Sequence, residues 1–336
     1  MDTEILENVD AREWNDFIKR TEHGTVFQST FWADYAREYL HAKPAYFIKR
    51  GESGKISSGL QAFVELPTKR FSGTILHAPL NFLVKLVSPF MWWSGAPLGN
   101  PGEMREILES AKSFASKKRC AIKDVAAPVQ LDSEAAKIYS SLGFKAKKHA
   151  TFFIDLTLGS EALAENISKK GRKAMRESEE AGVIVRLAKN KNDLRAYFEL
   201  LKSHRSTLHF STSPFVELEI QWKHLHGNGC MEIFLAEKGG RLVSAMGVWH
   251  FNGNAIEVGS ANSDSKEDRQ LFAGDALKWA IIKWGCENGM RSYDLGGVAL
   301  EPRSGKEQHI FQFKSKWGGS YAEFFRYSLA PNFIRL

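Results

Sequence analysis

Apolar positions follow one order of predicted elements in the first half of the chain. They recur at helical spacing over residues 104–115, and a short apolar strand, 120–125, follows that helix. A second predicted helix, 133–142, ends at a glycine and leads into a strand of alternating polarity, 151–156. Helices that alternate with strands in this way predict an α/β unit.

The second half of the chain repeats this order. A helix starts near Gly274 and ends at Gly289, and the strand 290–295 follows it. A helix-like segment, 310–317, then precedes a last strand, 321–327. The repeat predicts two tandem α/β domains whose sheets are partly parallel.

The boundary between the two domains is expected after the first repeat. Residues 1–158 form the first predicted domain and residues 159–336 the second, which begins with a predicted helix over 161–182. The apolar stretch 80–93 is too short to span a bilayer. Its aromatic end, 90–93, is expected to be a buried strand or helix, and a surface patch that contacts lipid is the alternative.

Composition and charge narrow the class of protein. The 336 residues include 46 Lys and Arg against 39 Asp and Glu, and the net charge of +7 excludes a highly basic tail but suits a phosphate-rich partner. Three dispersed cysteines exclude a disulfide framework or a cysteine zinc cluster, and indicate a reducing, cytoplasmic compartment. The scattered histidines predict no metal site, and the acidic start lacks the order of a signal peptide.

The densest cluster of positive charge lies early in the second predicted domain. On a helix, Lys169, Arg172, Lys173 and Arg176 fall on one face, where like charges repel by a few tenths of a kcal/mol per pair. A bound polyanion would relieve that repulsion, and the arginines suit bidentate contact with phosphate. A solvated face partly neutralised by the glutamates that follow is the alternative.

Two lysines near the carboxyl end alternate with aromatic residues. Lys314 and Lys316 lie beside Phe313 and Trp317, just before a pair of glycines. A partly desolvated lysine donates strongly to a carbonyl or phosphate oxygen, which predicts a substrate contact. In the alternative interpretation, both aromatics are core residues and both lysines extend to water.

A third candidate is the end of the strand 290–295. Asp294 follows Tyr293 and precedes Gly296 and Gly297, and a carboxylate at the carboxyl end of a strand is a common ligand position. The same aspartate is equally suited to capping the next turn.

These motifs, taken in order, resemble the FemABX family. Trp14, the segment 24–29 and Trp32 resemble the family's opening, and the basic helix stands where that family has a similar one. The stretches 293–297 and 313–318 resemble its C-terminal signature. The resemblance implies two tandem GNAT-like domains, and the absence of heptads indicates no coiled-coil arm.

The resemblance also implies an activity, which is transfer of an aminoacyl group from aminoacyl-tRNA to an amine of a peptidoglycan precursor. It places Lys314 in the active cleft, and we assign Asp294 to catalysis as well. The expected contacts to substrate are Lys169, Arg172, Arg176, Tyr293, Arg303, Lys316 and Asn100. Asn100 offers an amide where characterised members carry a carboxylate near the acceptor. We expect a monomer with no bound cofactor and an acceptor that carries phosphate, and peripheral contact with a membrane stays open.

Two other functions stay open from the sequence. An acyl-coenzyme A donor would need a glycine-rich turn before a helix, and the corresponding segment is 270–275. There Ala273 replaces the first glycine and Asp275 would face the pyrophosphate, which argues against that donor. A non-catalytic module that binds nucleic acid or another polyanion is the third hypothesis.

Overall fold

A computed structural model describes residues 2–65, 89–126 and 133–330. The chain divides into two compact units: the first comprises Met1–His149 and Glu323–Leu336, and the second comprises Ala150–Ala322. The boundary expected at residue 158 falls inside the second unit. Residues 80–88 of the apolar stretch lie outside the described residues.

The first unit is a mixed sheet with helices packed against it. Its strands are β1 (Glu4–Leu6), β2 (Lys43–Arg50), β3 (Ile56–Glu65), β4 (Phe90–Trp92), β5 (Leu98–Gly99) and β6 (Ala121–Ala126). Its helices are α1 (Ala11–Arg20), α2 (Thr30–Glu38), α3 (Met104–Lys117) and α4 (Ser133–Ser141). The strand order is β1-β2-β3-β4-β6, with β5 beside β3. The strands β4 and β6 run parallel, and α3 connects them.

The second unit has the same kind of sheet. Its strands are β7 (Lys145–Asp155), β8 (Val183–Leu187), β9 (Met231–Lys238), β10 (Arg241–Phe251), β11 (Asn254–Asn262) and β12 (Ser292–Val298). Its helices are α5 (Gly159–Asn166), α6 (Lys169–Glu180), α7 (Lys191–Thr207), α8 (Phe215–His224), α9 (Lys266–Arg269), α10 (Ala273–Glu287) and α11 (Gly305–Ser315). The strand order is β7-β12-β11-β10-β9-β8, and the chain continues into β13 (Ser320–Leu329). Only β11 and β12 run parallel here, and α10 connects them, as α3 connects β4 and β6.

The strands that close the two sheets are exchanged between the repeats. In the first unit, β6 pairs with β13, where Arg326 lies opposite Ala126. In the second unit, β12 pairs with β7, where Ser292 lies opposite Asp155. The strand at the end of each repeat is therefore found where its hydrophobic pattern predicts a strand, but its partner belongs to the other repeat.

The long helix predicted over residues 161–182 is wrong, because the chain is broken there into α5 and α6. Ile167 is extended, with ψ of 135°, and Ser168 caps α6 by accepting a hydrogen bond from the Gly171 amide at 3.2 Å. The Ser168 amide in turn donates to the carbonyl of Lys316 at 2.8 Å. A serine hydroxyl that satisfies a free amide at a helix start favours a new N-terminus over a continuous helix.

Aromatic and aliphatic side chains fill the core of each unit. In the first, Met91 and Trp93 are fully buried, which confirms the buried-strand interpretation of the aromatic segment. Tyr139 stacks on Tyr327 in the same core, with ring centroids 4.1 Å apart. In the second unit, the buried side chains include Leu277 and Ile281 of α10 and Trp317, which lies just after α11.

The opening motif of the chain holds the loop that follows β4. The Trp14 indole donates to the carbonyl of Gln28 at 2.7 Å, and the Gln28 side chain accepts a hydrogen bond from the Thr25 amide at 2.8 Å. Gly95 lies against that side chain at φ +87°, where an added Cβ would come within 2.1 Å of Gln28 Nε2. The motif thereby positions the loop that leads to Asn100.

Replacing Gly99 with alanine is expected to destabilise the first unit. Gly99 has φ +101°, and an added Cβ would lie 2.1 Å from the carbonyl oxygen of Ser57. Backbone strain of this kind costs about 1–3 kcal/mol, before the clash is counted. The measurement is the free energy of unfolding in urea, with Gly102→Ala as the control, because the nearest atom to its Cβ would be 3.4 Å away. Equal stability of the two variants would contradict the expectation.

Candidate functional site

The two parallel strands of the second unit separate partway along their length. Residues Asn254 to Ile256 of β11 pair with Ser292 to Asp294 of β12, and their ladder ends there. Beyond it, β12 is irregular between Asp294 and Gly297, and Gly296 takes φ +77°. An opening at the carboxyl ends of parallel strands leaves backbone groups available to a ligand.

Lys314 reaches this opening from α11. Its ammonium donates to the carbonyl of Gly296 at 2.9 Å and to that of Gly297 at 3.2 Å. Burial lowers the pKa of Lys314 because it disfavours the charged form, and the nearby carboxylates of Glu257 and Asp294 partly oppose that effect. An ammonium has three N–H donors, so one remains for a substrate oxygen.

Asp294 is half-buried within the same turn. Its Oδ1 accepts hydrogen bonds from the Thr151 hydroxyl at 2.5 Å and from the Gly296 amide at 2.8 Å. Burial raises the pKa of Asp294, while the hydrogen bond from Thr151 lowers it. These contacts hold the Gly296 turn, and with it the carbonyls to which Lys314 donates. A positioning role fits this geometry.

A buried charged pair lies beside Lys314 and was missed by the sequence analysis. The ammonium of Lys278, on α10, has no exposed surface; it donates to the Glu257 carboxylate and to the Tyr293 hydroxyl, the latter at 3.2 Å. Burial and the neighbouring carboxylates raise the pKa of Tyr293 well above its usual value. One signal was available: Lys278 shares a helical stripe with Ile281, Ile282 and Gly285, all of them buried.

The basic helix α6 begins against the end of α11. The Ser168 amide bonds to the carbonyl of Lys316, which brings the two predicted basic segments together. The Lys316 ammonium pairs with Asp275 and lies 4.3 Å from the centroid of the Phe313 ring. Asp275 sits in the first turn of α10, where burial raises its pKa and Lys316 opposes that shift. A carboxylate of the protein itself therefore lies at this helix start.

The other predicted contacts of the second unit are divided between the opening and the surface. Tyr293 is fully buried beside Lys278, and Lys169 is exposed at the start of α6. Arg172 donates to the backbone carbonyl of Glu165 at 2.9 Å. The remaining two residues lie on the surface with carboxylate partners: Arg176 with Glu180 at 3.6 Å, and Arg303 with Glu301 at 2.6 Å.

Asn100 belongs to the first unit and lines a cavity there. Its side-chain oxygen accepts a hydrogen bond from the backbone amide of Gly102 at 3.0 Å. The backbone amide of Asn100 donates to Ser58 Oγ at 2.8 Å. The cavity has a volume of about 790 Å³, and its lining includes Arg20, His23 and Arg105. The Asn100 amide thus caps a turn at the edge of a site large enough for a sizeable ligand.

The sequence is similar to a known protein family and to a curated protein. Residues 165–314 match the family described as an acetyltransferase (GNAT) domain. The chain is 20% identical to the lipid II:glycine glycyltransferase of Staphylococcus aureus (strain MRSA252), over 94% of this chain and 90% of that protein.

Solved structures resemble the fold of this chain, among them the following two. The crystal structure of FemX is 16% identical, with a TM-score of 0.76 and 96% of each chain covered. A tandem GNAT protein from the clavulanic acid biosynthesis pathway is 12% identical, with a TM-score of 0.56 and coverage of 97% and 98%. The predicted tandem GNAT-like fold, the FemABX resemblance and the acyltransferase class are confirmed. Among the described residues, no helix is both long enough and apolar enough to cross a bilayer.

Proposed function

From its similarity to the FemABX proteins and its tandem GNAT-like fold, we propose that the chain moves an aminoacyl group from aminoacyl-tRNA to an amine of a phosphate-bearing cell-wall precursor. The observation that carries the proposal is the Lys314 ammonium, held by two glycine carbonyls at the opening between β11 and β12. A fixed cation in a partly dry site is suited to stabilising charge that develops on a carbonyl oxygen.

The reaction needs three contributions from the protein. The acceptor nitrogen attacks the ester carbonyl carbon, a C–N bond forms, and the carbonyl oxygen becomes an oxyanion beside Lys314. The C–O bond to the ribose then breaks, the amine loses a proton and the ribose oxygen gains one. Lys314 stabilises the oxyanion, Asp294 positions the turn that holds Lys314, and substrate binding supplies the orientation.

The start of α10 argues for a tRNA ester over acyl-coenzyme A as the donor. A helix start binds pyrophosphate through free amides and the positive end of the helix dipole. Here Asp275 occupies that end and is paired with Lys316, so a pyrophosphate would meet a carboxylate. The cations at the start of α6, in contrast, oppose their own helix dipole, and phosphates of an RNA backbone would relieve that.

The acceptor is proposed from the staphylococcal relative, whose name specifies lipid II. A lipid-linked or nucleotide-linked muropeptide carries both a diphosphate and a peptide amine. The cavity beside Asn100 has the volume and the cations, Arg20 and Arg105, to hold part of such an acceptor. Because an amide is a poor base, the proposal assigns no proton transfer to Asn100.

Binding measurements distinguish the donors. We expect a tRNA minihelix to bind with an affinity that falls steeply as salt rises, because binding releases counterions from phosphate. Coenzyme A is expected to show no heat of binding in titration calorimetry at millimolar concentration. Tight binding of coenzyme A would instead favour an acyl-coenzyme A-dependent N-acyltransferase. RNA binding without transfer to any muropeptide amine would favour the non-catalytic hypothesis.

A further inference from the structure

An aromatic ring stands exposed between two cations in the second unit. Phe210, in the loop between α7 and α8, has 54% of its surface exposed. The Lys306 ammonium lies 4.3 Å from the centroid of its ring, and the Arg205 guanidinium carbon lies 5.9 Å from it. The exposed large apolar side chain is thus flanked by positive charge.

The loop that carries Phe210 is held by specific hydrogen bonds. The Phe210 amide donates to the carbonyl of Arg205 at 2.9 Å, and Arg205 Nε donates to the carbonyl of Ser211 at 2.8 Å. His209 takes a left-handed backbone conformation, with φ +58°. These contacts close the chain around the end of α7 and keep the ring in solvent, although burial of a phenyl ring is worth about 1.5–3 kcal/mol.

Neither flanking cation has a carboxylate partner among the described residues, where no ion pair includes Lys306 or Arg205. The two acids that flank Lys306 in sequence are already engaged: Glu301 pairs with Arg303, and Glu307 accepts hydrogen bonds from the backbone amides of Arg303 and Ser304. The ring is therefore bordered by positive charge that is available to an anion.

We propose that Phe210, Lys306 and Arg205 form a platform for a single-stranded end of RNA, with a base stacked on the ring and the adjacent phosphates on the two cations. Exposed aromatics beside cations are the usual means of binding single-stranded RNA, because every base has a stacking face and every linkage a phosphate. The inference rests on the proposed aminoacyl-tRNA donor and names where its unpaired 3′ end is held.

The platform is at a useful distance from the candidate site. Lys306 and Lys314 lie on the same helix, α11, eight residues apart in number. At about 1.5 Å of rise per residue, their backbones are about 12 Å apart along the axis. A nucleotide held at Phe210 thus keeps the ester that follows it along the strand within reach of the Lys314 ammonium.

The test compares two RNA probes on the full chain. One is a tRNA minihelix with its unpaired 3′ nucleotides, and the other is the same minihelix without them. Wild-type protein is expected to bind the complete minihelix more tightly. Phe210→Ala should weaken binding of the complete probe by about tenfold and leave binding of the truncated probe unchanged. Phe210→Trp should retain the preference, and Lys306→Gln should lower the slope of log affinity against log salt by about one.

A matched control variant and two contrary outcomes separate the platform from the proposed donor. Ile184→Ala removes another exposed apolar side chain, 68% exposed, and should leave both affinities unchanged. If Phe210→Ala keeps the wild-type preference for the complete probe, the platform is wrong while the proposed donor stands. If wild-type protein binds neither probe, the proposed donor itself fails and the platform fails with it.

Discussion

Replacing Lys314 with alanine is expected to lower turnover by about 100-fold while the protein stays folded. Removal of one oxyanion donor from a preorganised site costs about 10²–10³ in rate. Lys314 is only partly buried, and its ammonium contacts two backbone carbonyls that water is able to solvate in the variant. The measurement is single-turnover transfer from aminoacyl-tRNA to a muropeptide, together with circular dichroism of the variant.

The controls for this variant separate charge from structure. Lys283→Ala removes an exposed lysine from α10 in the same unit and should leave turnover unchanged. Lys314→Arg keeps the charge but alters its geometry and should retain part of the activity. A Lys314→Ala protein that transfers at the wild-type rate would remove this residue from the mechanism.

The same residue predicts how the rate depends on pH. The ammonium stabilises the oxyanion, so the rate falls as pH rises through the pKa of Lys314. Burial lowers that pKa, so the alkaline fall should begin below the range of an ordinary lysine. Lys314→Ala should lack this alkaline limb, because it has no ammonium to lose.

Replacing Lys278 with methionine is expected to destabilise the protein by about 3 kcal/mol, because it leaves the Glu257 carboxylate, whose side chain is only 11% exposed, without its partner. Lys278 is fully buried, and its ammonium pairs with Glu257 and bonds to the Tyr293 hydroxyl. The measurement is the urea midpoint of unfolding at neutral pH, with the slope of the transition checked for two-state behaviour.

A second substitution shows whether the loss comes from the unpaired charge. Glu257→Gln combined with Lys278→Met removes both charges and should recover most of the lost stability, since replacing a buried ion pair with uncharged groups is often neutral. If the double variant is as unstable as Lys278→Met alone, the loss reflects packing around the methionine. A stable single variant would mean that water reaches Glu257.

The spacing of apolar residues was sufficient to predict a helix or strand where the whole pattern lies within that one element. The stripe in 104–115 predicted α3, and the alternation in 151–156 predicted the second half of β7, because side-chain spacing reports directly on which face is buried. The alternation of Lys314 and Lys316 with aromatics also predicted desolvated lysines. In the structure, burial lowers the pKa of Lys314, and Lys316 lies over the Phe313 ring.

Local patterns were insufficient where two distant segments share one contact. Thr151 and Asp294 are 143 residues apart in sequence, yet they form a hydrogen bond that holds the turn under Lys314. Nothing near Asp294 distinguishes an aspartate that contacts substrate from one that fixes a turn. The break between α5 and α6 is similar, since the Ser168 amide finds its acceptor on Lys316.

The sequence by itself determined the two repeats, the helices and strands within them and the FemABX resemblance, and it predicted the lysine at the candidate site. The helices and strands depend on residue spacing within one segment, and the repeats and the resemblance depend on the order of such segments along the chain. The tertiary structure alone decided that β13 pairs with β6 in the first unit and that β7 pairs with β12 in the second. It also decided that Lys278 and Glu257 meet in the core, and that Phe210 stands beside Lys306. These contacts join segments far apart in sequence, and a strand's hydrophobic alternation specifies its buried face but not the strand beside it.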